Sequence, residues 1–308
     1  MTTLLTLKKE IKNELNAVTE LIQSTLLSSD TKTLSNIYKH ILNSQGKQIR
    51  ASIILLISKI TQGVNEDTKK LAAGIELIHL ASLIHDDIID NADIRRNNET
   101  VHKKFNVNNG IISGVHCYAL ALKLITSMHN IDILSIISNS VINLCEGECI
   151  QVNERYNFNI SVAEYWEIVN KKTSALFKAS CICSGHLNEL NESDIHHLAS
   201  FGELLGDIFQ LTDDYLDLFD KKNHLSKKVM QDIENGDISL PILLAVKKAN
   251  ETDLDIKEIL VTHKDDIVTT IKNEITTRKK NAEKSINALS FNAHQLIKVL
   301  EIVTKRVL

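Results

Sequence analysis

Apolar positions recur at helical spacing along almost the whole chain. From Leu4 to Leu27 they fall at Leu4, Leu7, Ile11, Leu15, Val18, Leu21 and Ile22, the stripe of an amphipathic helix. Thr33 to Leu42 predicts a short helix that ends in the polar loop Asn43-Ser44-Gln45-Gly46. Ile49 to Ile60 is apolar on several faces, which predicts a buried helix. Asp67 to Asp90 is long and mostly apolar. Asn91 to Asn109 is polar and reads as a loop. Helical patterns follow at Gly110 to Met128, Asp132 to Tyr156, Val162 to Gly185 and Glu192 to Asp220. Lys221 to Asp237 reads as a second loop, and Pro241 sits at a helix start, where its missing N–H costs little. Charged helices fill the rest, to Leu308. No useful β alternation occurs, and the 308 residues hold one proline and 10 glycines. So little punctuation predicts an all-α chain forming one domain over residues 1–308.

Composition narrows the class. A net charge of −4 gives no reason to expect a nucleic-acid partner. No apolar run reaches the roughly 18–20 residues a membrane helix needs. The N-terminus lacks a signal-peptide core. The five cysteines, Cys117, Cys145, Cys149, Cys181 and Cys183, are odd in number and lack zinc spacing. They are expected to be free thiols in a reducing cytoplasm, with Cys145 and Cys149 as core neighbours. Trp166 is expected in the core and His196-His197 on the surface.

Candidate chemistry lies in two acidic triads inside apolar helix: Asp86-Asp87-Ile88-Ile89-Asp90 and Asp213-Asp214-Tyr215-Leu216-Asp217, 127 positions apart. Positions i and i+4 share a helix face, so the carboxylates repel unless a cation neutralises them. Asp is also a poor interior helix residue. Two such clusters suggest halves of one divalent-metal site, because hard cations take oxygen ligands and leave room for a substrate's phosphates. Basic residues stand nearby in sequence: Lys47 and Arg50 around Gly46, Arg95 and Arg96, Lys171 and Lys172, Lys227 and Lys228. Carboxylates and cations together suit an anionic, metal-chelated ligand.

Leu80 to Asp90, followed by Asp93-Ile94-Arg95-Arg96, resembles the first aspartate-rich motif of the trans-type (E-) polyprenyl diphosphate synthases. Phe209-Gln210-Leu211-Thr212-Asp213-Asp214-Tyr215-Leu216-Asp217 resembles the second. Lys172-Thr173, the Lys47/Arg50 loop, Glu76 to His79, Lys227, Asp232 and Ser239-Leu240-Pro241 fall in family order, so the likeness runs from about residue 40 to 245. The resemblance implies an isoprenoid synthase fold of ten or more helices around a deep central cavity. It implies condensation of an allylic diphosphate with isopentenyl diphosphate, in a homodimer or a heterodimer with a small regulatory subunit. Asp86, Asp87, Asp90, Asp213, Asp214 and Asp217 would bind up to three Mg²⁺. Arg95, Lys172 and Lys227 would complete the clamp on the allylic diphosphate, with Gln210 and Thr173 nearby. Lys47, Arg50, His79 and Arg96 would hold the diphosphate of isopentenyl diphosphate. The chain departs from the family pattern at Gln45, Gln48, Ala51, Asn97, Val115, Ser226 and Met230.

Helix geometry also bears on product length. The tail should run beside the helix that ends in Asp86. One turn before Asp86 stand Ala81 and Ser82, too small to block it, and Ile78 and Ile75 lie beyond. A turn rises about 5.4 Å, close to one isoprene unit, so a medium-to-long product of roughly 25–35 carbons is expected. Shorter geranylgeranyl or farnesyl products are the alternative. A remote alternative is an HD-type phosphohydrolase using His79, His85 and Asp86. Adjacent His85 and Asp86 cannot face one way on a regular helix, however, and the second triad would have no role.

Overall fold

The computed structural model describes residues 7, 9–44, 46–219, 236, 238–249, 256–305 and 307–308. Gln45, Ser226, Lys227, Lys228, Met230 and Asp232 lie outside them. The chain is all-α, with more than ten helices among the described residues. It packs as two compact units, Leu5–Ile137 with Cys183–Leu190, and Ser138–Ile182 with Asn191–Leu308.

In the first unit, α1 (Lys12–Leu27), α2 (Lys32–Leu42), α3 (Ile49–Ile60) and α4 (Glu66–Ile89) follow the predicted pattern closely. α3 buries every residue from Arg50 to Ser58, as its all-round apolar character requires. α4 starts at a capping box: the Asn65 side chain accepts from the Thr68 amide at 2.8 Å, and the Thr68 hydroxyl accepts from the Asn65 amide. Its partner along most of its length is α6 (Val107–Thr126). Ile37, Ile84 and Val101 form a buried cluster with Ile41, Leu80 and Phe105 around them.

The polar stretch after Asp90 is more ordered than its composition suggests. Asn91 takes a left-handed conformation (φ 49°), while Ala92 N–H donates to Asp87 O and Asn91 N–H to Ile88 O. These bonds close α4 in a Schellman motif. Two short strands follow, β1 (Ile94–Arg95) and β2 (Asn98–Glu99), antiparallel with Arg95 opposite Asn98. Arg96 (φ 50°) and Asn97 (φ 65°) form the turn between them. A two-residue hairpin with both central φ positive is the favoured tight turn, and Asn tolerates the left-handed region better than most residues. Asn97 therefore fills a position where the family pattern has Gly. A short helix, α5 (Val101–Phe105), lies inside the same stretch. The expected loop is thus a hairpin and a helical turn, too short for periodicity to reveal.

α7 (Ile131–Asn153) comes next in the chain. In the second unit, α8 (Val162–Val169) begins at a capping box between Ser161 and Glu164. Asn170–Ser174 forms a π turn and α9 (Ala175–Leu187) continues the helix. α10 (Glu192–Phe219) packs along α13 (Lys264–Asn287) and touches α11 (Leu240–Ala249) and α14 (His294–Thr304). α12 (Ile256–Thr262) lies between α11 and α13 in sequence.

Three sequence expectations need correction. Cys145 and Cys149 are exposed rather than in the core. Trp166 is half-buried, with the Arg278 guanidinium 3.5 Å above its ring. α7 is, by length and composition, apolar enough to cross a membrane, because scattered Ser and Asn break the apolar run without lowering its average much. It is the one such helix among the described residues.

Candidate active site

In the first unit, Asp86 and Asp87 occupy the last turn of α4 and Asp90 is its C-cap. A helix C-terminus carries partial negative charge, so carboxylates there are unfavourable without a cation. The three are not equivalent. Asp87 is 5% exposed and accepts from Arg95 Nε at 2.6 Å. Burial raises its pKa, and Arg95 works in the opposite sense. Asp86 is half-buried and Asp90 exposed, and this i, i+4 pair shares a face.

The hairpin sends its two arginines to different tasks. Arg95 turns back to Asp87, while Arg96 reaches the loop before α3, with Nη1 3.5 Å from Ser44 O. A Cβ on Gly46 would meet the Arg96 guanidinium at 2.9 Å, so the bare glycine admits it. Arg50 is buried at the start of α3, where the Ala51 amide donates to Glu76 at 2.9 Å. Burial, then Arg50, Arg96 and Arg95, hold His79 well below its ordinary pKa, so its imidazole is neutral. Arg50, His79 and Arg96 are thus gathered in one unit, and exposed Lys47 stands on the loop beside Gly46.

The second unit repeats the division of labour. Asp214 is buried and accepts from Gln210 Nε2 at 2.8 Å, the Tyr165 hydroxyl at 2.8 Å and the Leu240 amide at 3.3 Å. Burial pushes its pKa up to about 6 against the pull of those donors. Asp213 is half-buried and Asp217 exposed, again an i, i+4 pair. Gln210 Oε1 in turn accepts from the Thr173 hydroxyl at 2.7 Å. A cavity of about 100 Å³ is lined by Gln151, Lys172, Thr173 and Gln210, with Tyr165 among its walls.

Lys172 and Thr173 belong to the π turn, a feature often found at functional sites. Two glycines set its place. A Cβ on Gly147 of α7 would lie 2.6 Å from the Lys172 amide nitrogen, and one on Gly206 of α10 would lie 2.5 Å from Ser174 Cα. Behind the turn, Ser174 donates to buried Asp207 at 2.6 Å, and Arg278 Nε donates to the same carboxylate at 3.3 Å.

The sequence pattern therefore points to the acidic and basic residues and to Glu76, but not to Gln151, Tyr165 or Glu148, whose Oε2 lies 2.5 Å from Lys172 Nζ. Nothing in their local pattern separates them from ordinary helix residues. Lys227 lies outside the described residues. Ala81 and Ile78 are fully buried and Ser82 nearly so.

The profile of the polyprenyl synthetase family matches residues 31–276. Heptaprenyl diphosphate synthase component 2 of Geobacillus stearothermophilus is 31% identical over 236 residues, covering 77% of this chain and 73% of that one. Heptaprenyl diphosphate synthase from Staphylococcus aureus superposes with a TM-score of 0.88 at 27% identity, covering 97% of this chain and 99% of that one. A polyprenyl synthase from Caulobacter crescentus CB15, solved with calcium and isoprenyl diphosphate, shares the fold at a TM-score of 0.89 and 23% identity, over 100% and 99% of the two chains. The chain belongs to the polyprenyl synthetase family. It is a prenyl-transferring enzyme of the polyprenyl diphosphate synthase type, acting on prenyl diphosphates.

Proposed function

We propose that the enzyme condenses an allylic prenyl diphosphate with isopentenyl diphosphate. The product would be an all-trans polyprenyl diphosphate of about 25–35 carbons, one isoprene unit corresponding to roughly one helical turn of cavity wall. The observation that carries this reading is the same division in both triads. Asp86/Asp90 and Asp213/Asp217 are i, i+4 pairs with one member half-buried and the other exposed, whereas Asp87 and Asp214 are buried. An all-carboxylate donor set fits Mg²⁺, which prefers oxygen ligands and keeps positions for phosphate. In this reading Asp86 and Asp90 hold Mg²⁺, and so do Asp213 and Asp217, as many as three ions in all, with Asp87 and Asp214 fixing the helices behind them. Bound Mg²⁺ would supply Lewis-acid stabilisation of the departing diphosphate.

The chain's own residues do the rest. Arg95 and Lys172 place fixed positive charge toward the allylic diphosphate, and Thr173 and Gln210 orient its oxygens. Such preorganised charge lowers the barrier to C–O cleavage. Lys47, Arg50 and Arg96 bind the diphosphate of isopentenyl diphosphate, and neutral His79 adds a hydrogen bond without further repulsion among the arginines. The isopentenyl double bond then attacks the allylic cation and a proton is lost, so no protein nucleophile is required.

Both units are read as parts of one catalytic domain in a cytoplasmic homodimer. Exposed Ile111, Ile112 and Val115 on α6 give an apolar face suited to a second copy, and five free cysteines suit a reducing compartment. A small regulatory partner subunit is the alternative assembly.

Incubating the purified chain alone with Mg²⁺, isopentenyl diphosphate and starters of increasing length, then sizing the products, tests this reading. Products near the stated length from a preparation that light scattering shows to be dimeric are expected. Lack of turnover without an added subunit would contradict the homodimer. Products no longer than geranylgeranyl diphosphate would contradict the chain length.

A further inference from the structure

We infer that Glu148 is a positioning residue for the diphosphate-binding ammonium of Lys172, pinning it at the wall of the cavity lined by Gln151, Thr173 and Gln210. The inference rests on the proposed role of Lys172 and goes beyond it.

Glu148 is a buried carboxylate, with only 10% of its side chain exposed. A carboxylate taken out of water is unfavourable unless a charge partner and donors compensate it. Neither of its oxygens has a hydrogen-bond partner of good geometry among the described residues. What it has is the Lys172 ammonium at 2.5 Å, an ion pair by distance rather than a directed hydrogen bond. The Lys172 side chain is itself only 22% exposed. Its neighbour Lys171 contrasts with it, pairing with Glu146 and Glu167, whose side chains are each more than half exposed. Surface pairs of that kind contribute little.

Local structure explains why Glu148 reaches Lys172. Gly147 lets the π turn approach α7 more closely than any other residue would allow, since its Cβ would collide with the Lys172 amide nitrogen. The next residue on α7 is Glu148, and three residues further on the same face Gln151 lines the cavity. A lysine has a flexible four-carbon stem and loses substantial rotamer freedom when its head is fixed. Pairing with Glu148 fixes the head before substrate arrives. An ammonium has three donors, so contact with Glu148 leaves protons for a phosphate oxygen.

A double-mutant cycle separates this role from a structural one. Wild type, Glu148→Gln, Lys172→Met, the double variant and Glu148→Asp are compared by kcat, by KM for each substrate and by melting temperature. Glu148→Gln is expected to raise the allylic KM about tenfold, the scale of one charge-assisted contact, while the isopentenyl KM stays near wild type. In the Lys172→Met background, Glu148→Gln should raise the allylic KM no further. It should recover melting temperature there, because Lys172→Met leaves a buried carboxylate without its partner. Glu148→Asp should restore part of the affinity. An unchanged allylic KM in Glu148→Gln, while Lys172→Met raises it, would overturn the inference. So would losses that multiply in the double variant. An unchanged allylic KM in Lys172→Met would instead refute the diphosphate-binding role on which the inference rests.

Discussion

Inside each triad, three identical side chains do two kinds of work. Asp86 is half-buried and Asp90 exposed while Asp87 is buried against Arg95, and Asp213 is half-buried and Asp217 exposed while Asp214 is buried against Gln210, Tyr165 and Leu240. Spacing alone shows which aspartates share a face. It does not show which face is buried, because that depends on the hairpin arginine in one case and a tyrosine 49 positions away in the other. His79 gives a testable consequence of the same burial. Its folded-state pKa lies below the ordinary value of 6.5. As pH falls through that value, the unfolded chain takes up a proton that the folded chain refuses. Stability contributed at neutral pH is therefore lost on acidification. Denaturant titrations at about pH 7 and about pH 5.5, on either side of the ordinary histidine pKa, should show a larger loss for wild type than for His79→Gln. Parallel losses would contradict a neutral imidazole in the folded chain.

Among the elements, α4 and the π turn matter most. The long helix was legible from its apolar period, and its predicted end at the first triad agrees with the observed C-cap at Asp90. Its faces were not. Gly74 lies against Ile125, Cys117 against Leu77 O, His85 against Gly114, and Ile88 against Gly110. At 100° per residue, Ala81 falls in the middle of that series, so it faces α6, whereas Ser82 and Ile75 share the face of Asp86. Of the two small residues expected to admit a tail, Ser82 is the one on the triad's face. Ser82→Phe should shorten the products made from farnesyl diphosphate. Ala81→Phe should instead cost about 1–3 kcal/mol of stability by overpacking against α6. Unshortened products from Ser82→Phe would remove the helix-face basis for chain length. The π turn was hidden altogether, because Asn170–Ser174 sits in an unbroken helical pattern and is recognisable only through the backbones that close on it at Gly147 and Gly206.

Over the whole molecule, helix content and order were readable because apolar period and scarce Pro and Gly act over long windows. Strands of two residues, a five-residue helix and the division into two compact units have no such signature. Family membership spans both units, since its match runs from residue 31 to 276. The central claim is that both triads are needed to ionise the allylic diphosphate. Steady-state turnover of purified Asp86→Ala and Asp213→Ala, with farnesyl diphosphate, isopentenyl diphosphate and saturating Mg²⁺, tests it most directly. Each substitution alone should lower kcat by at least about 10²–10³-fold, the scale of losing one electrostatic contact to the leaving group. Turnover close to wild type in either variant would contradict the claim.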